Sequence, residues 1–213
     1  MLLFDALERA VAVATRDEPA VVRARDAWNR QAGQVHDDEP LYEERTNAFL
    51  EWFTLDAADQ SAVTPPPILA QITRSADHSL ERAALVALAT SHRSIFRVRE
   101  LVPEGLLLDD LWGGAAFEVR ERRRLAGIEP GDLVDARLVA DVESPPDLVF
   151  ARTFCPHPRE VHAEIRRHVA RARKDGESRT TLLFHLLRLR VRCERYRHVP
   201  AARVYGVDGG KLA

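Results

Sequence analysis

The sequence predicts an α+β fold, and three observations carry that prediction. Apolar residues recur at helical spacing through residues 1–92. The period shortens to two over residues 93–155, where short segments are separated by Pro/Gly turns. Helical spacing returns over 156–200 in an arginine-rich extension, and 201–213 reads as a tail. With 213 residues, 46% hydrophobic and 30% charged, the chain fits one large domain or two small ones. That composition excludes a disordered, collagen-like or coiled-coil chain.

Leu3, Leu7, Ala10, Val11 and Ala14 form the apolar stripe of a first helix. Asp17, Glu18 and Pro19 stop it and start a second, over about 20–34, with Val21, Ala24, Ala27 and Trp28 inward. A third helix over about 41–53 carries Tyr42, Phe49, Trp52 and Phe53, the richest aromatic patch in the chain. Thr64-Pro65-Pro66-Pro67 is a stiff link. Helices over 68–74 and 80–90 follow, with Ser79 placed to cap the second.

Ile95 to Arg99 alternates as a half-buried strand does. Further strands are expected at 106–109, 116–120, 133–140 and 148–154, with Val134, Ala136 and Leu138 on one face of the fourth. The turns between them contain Pro103-Glu104-Gly105, Trp112-Gly113-Gly114, Glu129-Pro130-Gly131-Asp132 and Ser144-Pro145-Pro146-Asp147. Five short antiparallel strands over about 60 residues point to a small barrel-like sheet of SH3-like or OB-like type, because closure removes exposed edges. Two helices, over about 158–173 and 179–198, follow.

Net charge is −2, but it is unevenly placed. From Arg152 onward there are 15 Lys+Arg and 6 Asp+Glu, a local +9, which leaves a local −11 in the rest. Such halves pack on each other, pair between copies, or present a basic surface to a polyanion. The candidate basic face is Arg166, Arg167 and Arg171 on one helix with Arg188, Arg192 and Arg195 on the next. A groove between the two could neutralise phosphates.

Cys155, His157 and His162 are metal-ligand types in a short span, but their spacing matches no common zinc motif. Asp109 and Asp110, as adjacent strand residues, point to opposite faces and cannot act as an acid/base pair. No Gly-x-Ser-x-Gly and no glycine-rich phosphate loop occurs.

Ala48-Phe49-Leu50-Glu51-Trp52-Phe53, with Leu108-Asp109-Asp110-Leu111 and the run from Glu129-Pro130-Gly131-Asp132 to Val139 after it, resembles a set of uncharacterised bacterial proteins. In them a helical Phe-Leu-x-Trp-Phe region precedes a β-region with a similar Pro-Gly-Asp turn. The resemblance covers about residues 41–154. Some of those proteins carry a cysteine-rich zinc motif that this chain lacks, and the resemblance implies an architecture rather than an activity.

The expected function is therefore a non-enzymatic binding protein, regulatory or adaptor in role, acting through a protein partner or self-association. Nucleic-acid binding through the arginine-rich helices is the alternative, and a metal-dependent enzyme a second one. No cofactor is expected. No apolar run approaches the ~20 residues that cross a bilayer, and the apolar start meets Asp5 and Glu8 at once. Two cysteines do not make a disulfide framework, which points to the cytoplasm.

Overall fold

Five antiparallel strands form one sheet in the spatial order β3-β2-β1-β4-β5. They are β1 (His92–Val102), β2 (Gly105–Asp110), β3 (Ala116–Arg120), β4 (Leu133–Ala140) and β5 (Leu148–Pro156). The computed structural model describes residues 2–57, 70, 73, 74, 79–121, 125 and 127–206. The proline link at 64–67 and most of the helix expected at 68–74 lie outside these residues.

β1 is long enough to serve two partners. Its first half, His92 to Arg97, pairs with β4, and Phe96 to Val102 pairs with β2. One extra residue in β1, Arg99, breaks the register with β2 between Val98 and Glu100. β5 carries two extra residues between Phe150 and Phe154 relative to β4. Such bulges bend and twist a strand, so the sheet curls. Its concave face holds Phe96, Val98, Leu106, Leu108, Val119, Val134, Ala136, Leu138 and Phe150 in one apolar cluster. At the start of β2 a Cβ on Gly105 would lie 1.9 Å from the Val119 carbonyl oxygen, so only glycine fits there. The curl brings the edges together through Arg120, which donates to Asp147 at 2.8 Å. β3 and β5 are not hydrogen-bonded to each other, so the sheet is open and not a closed barrel.

Seven helices are present among the described residues: α1 (Leu2–Ala14), α2 (Glu18–Ala32), α3 (Tyr42–Glu51), α4 (Ser79–Ala89), α5 (His162–Lys174), α6 (Arg179–Arg195) and α7 (Ala201–Val204). Asp17 caps α2 by accepting from Ala20 N–H, and Ser178 caps α6 by accepting from Thr181 N–H. α3 runs on into a π-helical turn at Trp52–Asp56. Ser79 is the first residue of α4 rather than the residue before it.

These helices cover the convex face of the sheet, so β4 is buried on both sides. Along that outer face Leu133 packs with α5 and α6, and Val139 packs with α1 and α4. Between them Asp135 pairs with Arg93, and Arg137 pairs with Glu51 and Asp56. The tail is ordered further than its glycines suggest. Val204 and Tyr205 are fully buried against α5 and α6, with the Tyr205 hydroxyl 3.1 Å from His157 Nδ1 and its carbonyl 2.7 Å from His168 Nε2. Residues 207–213 lie outside the described set.

Candidate functional site

α6 turns Arg188 and Arg195, two arginines of its stripe, toward the end of α2 and the loop after it. Arg188 donates to the Arg30 carbonyl near the end of α2. Arg195 donates to both carboxylate oxygens of Glu39, at 2.6 and 2.7 Å, and to the Gln34 carbonyl. The Arg195 hydrogen bonds hold the Glu39 carboxyl down at about 2. The connection from α2 to α3, residues 33–41, is clamped to α6 in this way.

Of the six predicted basic residues, Arg188 and Arg195 bond to residues 30–39, and Arg166, Arg167 and Arg171 lie exposed on α5. Desolvation first, and then the charges of His168, Arg188, Arg171 and Arg192, push the His185 imidazole down to about 4. Arg166 and Arg167 lie exposed on α5, Arg167 beside Glu164 at 3.3 Å, and Arg171 pairs with Asp175 at 3.4 Å.

Cys155, His157 and His162 do not converge either, and no cluster of three or more potential metal ligands occurs among the described residues. Cys155 is buried with Trp28, Phe49 and Phe184, and burial pushes its thiol up to about 11. His157 faces Tyr205, and burial pushes it down to about 4. His162 Nε2 lies 3.3 Å from the His157 carbonyl and 3.4 Å from the Leu133 amide. Cys155 packs into the aromatic cluster, His157 meets Tyr205, and His162 lies against the His157 carbonyl and the Leu133 amide, which is why the span makes no site.

His92, Ser94 and Asp110 contain the residue types of a catalytic triad in the wrong arrangement. Ser94 Oγ at 2.5 Å and His92 Nε2 at 2.9 Å both bond the Asp110 carboxylate, so the imidazole is not placed to take the serine proton. Burial opposes the Asp110 charge, but bonds from His92, Ser94 and the Gly113 and Trp112 amides outweigh it and hold the carboxyl at about 2. The carboxylate organises the turn after β2.

The densest chemistry lies where α2, α3 and α6 meet over β1, β4 and β5. Trp28 packs edge-on to Phe49 and to Phe184, and against Trp52. The aromatic patch read from the sequence is thus an internal cluster, with Phe49 fully buried and Trp52 and Phe53 half-buried. Three guanidinium groups sit on these rings. Arg25 lies 4.1 Å from the Phe49 centroid; Arg45 and Arg93 lie 5.2 and 6.0 Å from the Trp28 ring. Arg93 is fork-bonded to Asp135. Arg45, 5% exposed, donates through Nη2 to the Ala32 and Gly33 carbonyls, closing the end of α2. Its Nε and Nη1 are buried without a partner, and desolvation lowers it to about 10.

Beside Arg45 a shallow cleft of about 240 Å³, open to solvent, is lined by Arg25, Trp28, Asn29, Val35, Tyr42, Arg45 and Thr46. Clear of its walls it has room for about one water-sized atom. Sequence reasoning missed this cleft because Arg45 follows Glu43 and Glu44 and resembles a solvated helix face. The available signal was spacing: Arg25, Trp28 and Asn29 share a face of α2, and Tyr42, Arg45 and Thr46 share a face of α3. A second and larger opening, of about 450 Å³ and mostly apolar, lies between α1 and α3 and is lined by Leu7, Val11, Ala12 and Leu50 together with Glu8 and Arg152.

Comparison of the chain with protein-family models, curated proteins and solved structures finds no match.

Proposed function

We propose that this protein is a non-enzymatic binding protein, regulatory or adaptor in role, that works through protein contacts or self-association. The supporting observation is the internal clamp of α6. Arg188 and Arg195 engage the end of α2 and the loop after it, so the basic stripe serves the protein's own acidic half. In this proposal the open sheet is an OB-like frame rather than an SH3-like one. The order β3-β2-β1-β4-β5, with β1 shared between β2 and β4, supports that choice. The resemblance to bacterial proteins with a helical Phe-Leu-x-Trp-Phe region, and residence in the cytoplasm, belong to the same proposal. No helix among the described residues is long and apolar enough to cross a membrane. Affinity capture from the native cell with and without nuclease, together with the mass in solution, tests it. A nuclease-resistant partner or a defined oligomer is expected. Capture that nuclease abolishes would transfer the proposal to nucleic acid.

One observation favours that second reading. Arg166, Arg167, Arg171 and Arg173 are all exposed on α5. Such a basic helix surface could take a phosphate backbone. Binding of that kind weakens steeply with salt, and each lost phosphate contact lowers the log–log slope by about 1. Arg171→Gln and Arg173→Gln would then flatten the slope; no measurable oligonucleotide binding at physiological salt would end this reading.

A further inference from the structure

We propose that the cleft between α2 and α3 is a binding site for an oxyanion, a carboxylate or phosphate group, held between Arg25 and Arg45 beside the Trp28 ring. The lining selects for this chemistry. Among the described residues no acidic side chain contributes to it, and all five of its titratable or hydrogen-bonding groups other than the indole can donate: Arg25, Asn29, Tyr42, Arg45 and Thr46. Arginine offers donors only, so neither guanidinium can be satisfied by a cation or an apolar ligand.

Charge supports the same ligand. Arg25, Arg45 and Arg93 crowd two aromatic rings, and among the described residues only Arg93 has a carboxylate partner, Asp135. Ring faces stabilise cations, but they do not accept the N–H bonds that Arg45 Nε and Nη1 leave unmade. A buried cation with unmade bonds is the arrangement that an incoming anion relieves. A water molecule would answer one N–H and leave the charge uncompensated.

Size sets the mode of binding. The cleft admits about one water-sized atom clear of its walls and is otherwise open to solvent, so one oxygen of the group enters it and the remainder stays in the solvent beside Arg25 and the half-exposed Tyr42. Both free nitrogens of Arg45 are covered in the empty cleft. Binding therefore draws the guanidinium off the Trp28 face, and indole fluorescence reports the shift.

The full chain is titrated with sodium phosphate, sodium sulfate and sodium acetate against sodium chloride at matched ionic strength, which removes general screening. Thermal midpoint and tryptophan fluorescence are followed. A saturable, single-site response to an oxyanion and none to chloride is expected, and phosphate against acetate tells which group the cleft prefers. Arg25→Gln is expected to weaken binding at least tenfold, while the loss of its contact with the Phe49 ring lowers the midpoint in chloride only slightly. Arg173→Gln on the exposed face of α5 is expected to leave it unaltered. Equal responses to all four salts would overturn the proposal. So would undiminished affinity in Arg25→Gln, or a loss in Arg173→Gln as large as that in Arg25→Gln.

Discussion

The two faces of β4 are equally buried by opposite chemistry. Inward, Val134, Ala136 and Leu138 join an all-apolar cluster. Outward, Asp135 and Arg137 are 0% and 1% exposed and meet charged partners from β1 and α3. The inner face is held by removal of apolar surface from water, which is non-directional. The outer face combines the apolar contacts of Leu133 and Val139 with paired charges, which contribute little net stability but penalise any misplacement of a partner. The sheet's own curl thus rests on volume, and the docking of helices onto it rests on specific geometry as well as on volume.

Breaking a pair on the outer face is the strongest challenge to that contrast. Arg137 bonds Glu51, Asp56 and Ser91, and among the described residues Glu51 otherwise accepts from Thr153 N–H alone, at 2.7 Å. Arg137→Ala strands a buried carboxylate and is expected to cost ~3–5 kcal/mol by denaturant unfolding. Leu138→Ala, its neighbour on the inner face, is expected to cost ~2–5 kcal/mol from lost transfer energy and a cavity. The two differ in rescue. Arg137→Met with Glu51→Leu should recover at least half of the loss, since the uncompensated charge is gone, whereas nothing outside the cavity rescues Leu138→Ala. A loss below about 1 kcal/mol for Arg137→Ala would mean that water reaches the outer face and the contrast fails.

A smaller effect comes from the neutral histidine under the C-terminal segment. Burial holds His157 at about 4, against an ordinary 6.5. Above pH 6.5 it is neutral folded and unfolded and contributes no pH dependence. Between 6.5 and 4 the unfolded chain binds a proton that the folded chain does not, so stability falls as pH falls. The gap of roughly 2.5 units corresponds to about 3 kcal/mol at pH 4. Unfolding free energy measured across this window should lose that much of its slope in His157→Gln. An unchanged slope would show that His157 is already protonated in the fold.

The strands were legible because alternation and turn chemistry are local. β3 and β4 fall where the period of two places them, and the others extend the expected ranges by a few residues. The outer face was not legible. Asp135 and Arg137 alternate with apolar residues as a solvated face does, and Arg137 finds Glu51 across 86 residues of sequence. The stripe Arg188, Arg192 and Arg195 was legible as a stripe, but its partners in residues 30–39 are backbone carbonyls and one glutamate, which no charge count reveals. The Arg45 cleft was hidden for a related reason. Its donors come from two helices whose approach is decided by Trp28 and Phe49, and sequence spacing places residues on a face without saying which faces meet.

The smallest effect belongs to the clamp between α6 and the 33–41 loop, and it sharpens the contrast by showing a charge pair that is not buried. Arg195 and Glu39 side chains are 37% and 24% exposed, so solvent screens them, and Arg195→Gln should cost no more than about 1 kcal/mol near neutral pH. The sign of its pH dependence follows from Glu39, whose carboxyl is held at about 2 instead of 4.5. A lowered carboxylate stabilises the fold fully above pH 4.5, and that contribution disappears as pH falls from 4.5 through 2. Wild type and Arg195→Gln should therefore differ in midpoint at pH 7 and converge towards pH 2. The difference should also shrink in 1 M salt, where exposed charges interact over only ~3 Å. The Arg137 pair, shielded from solvent, should keep its effect in the same salt. A clamp that resists salt as Arg137 does would place the 33–41 loop inside the specific, buried layer rather than at its edge.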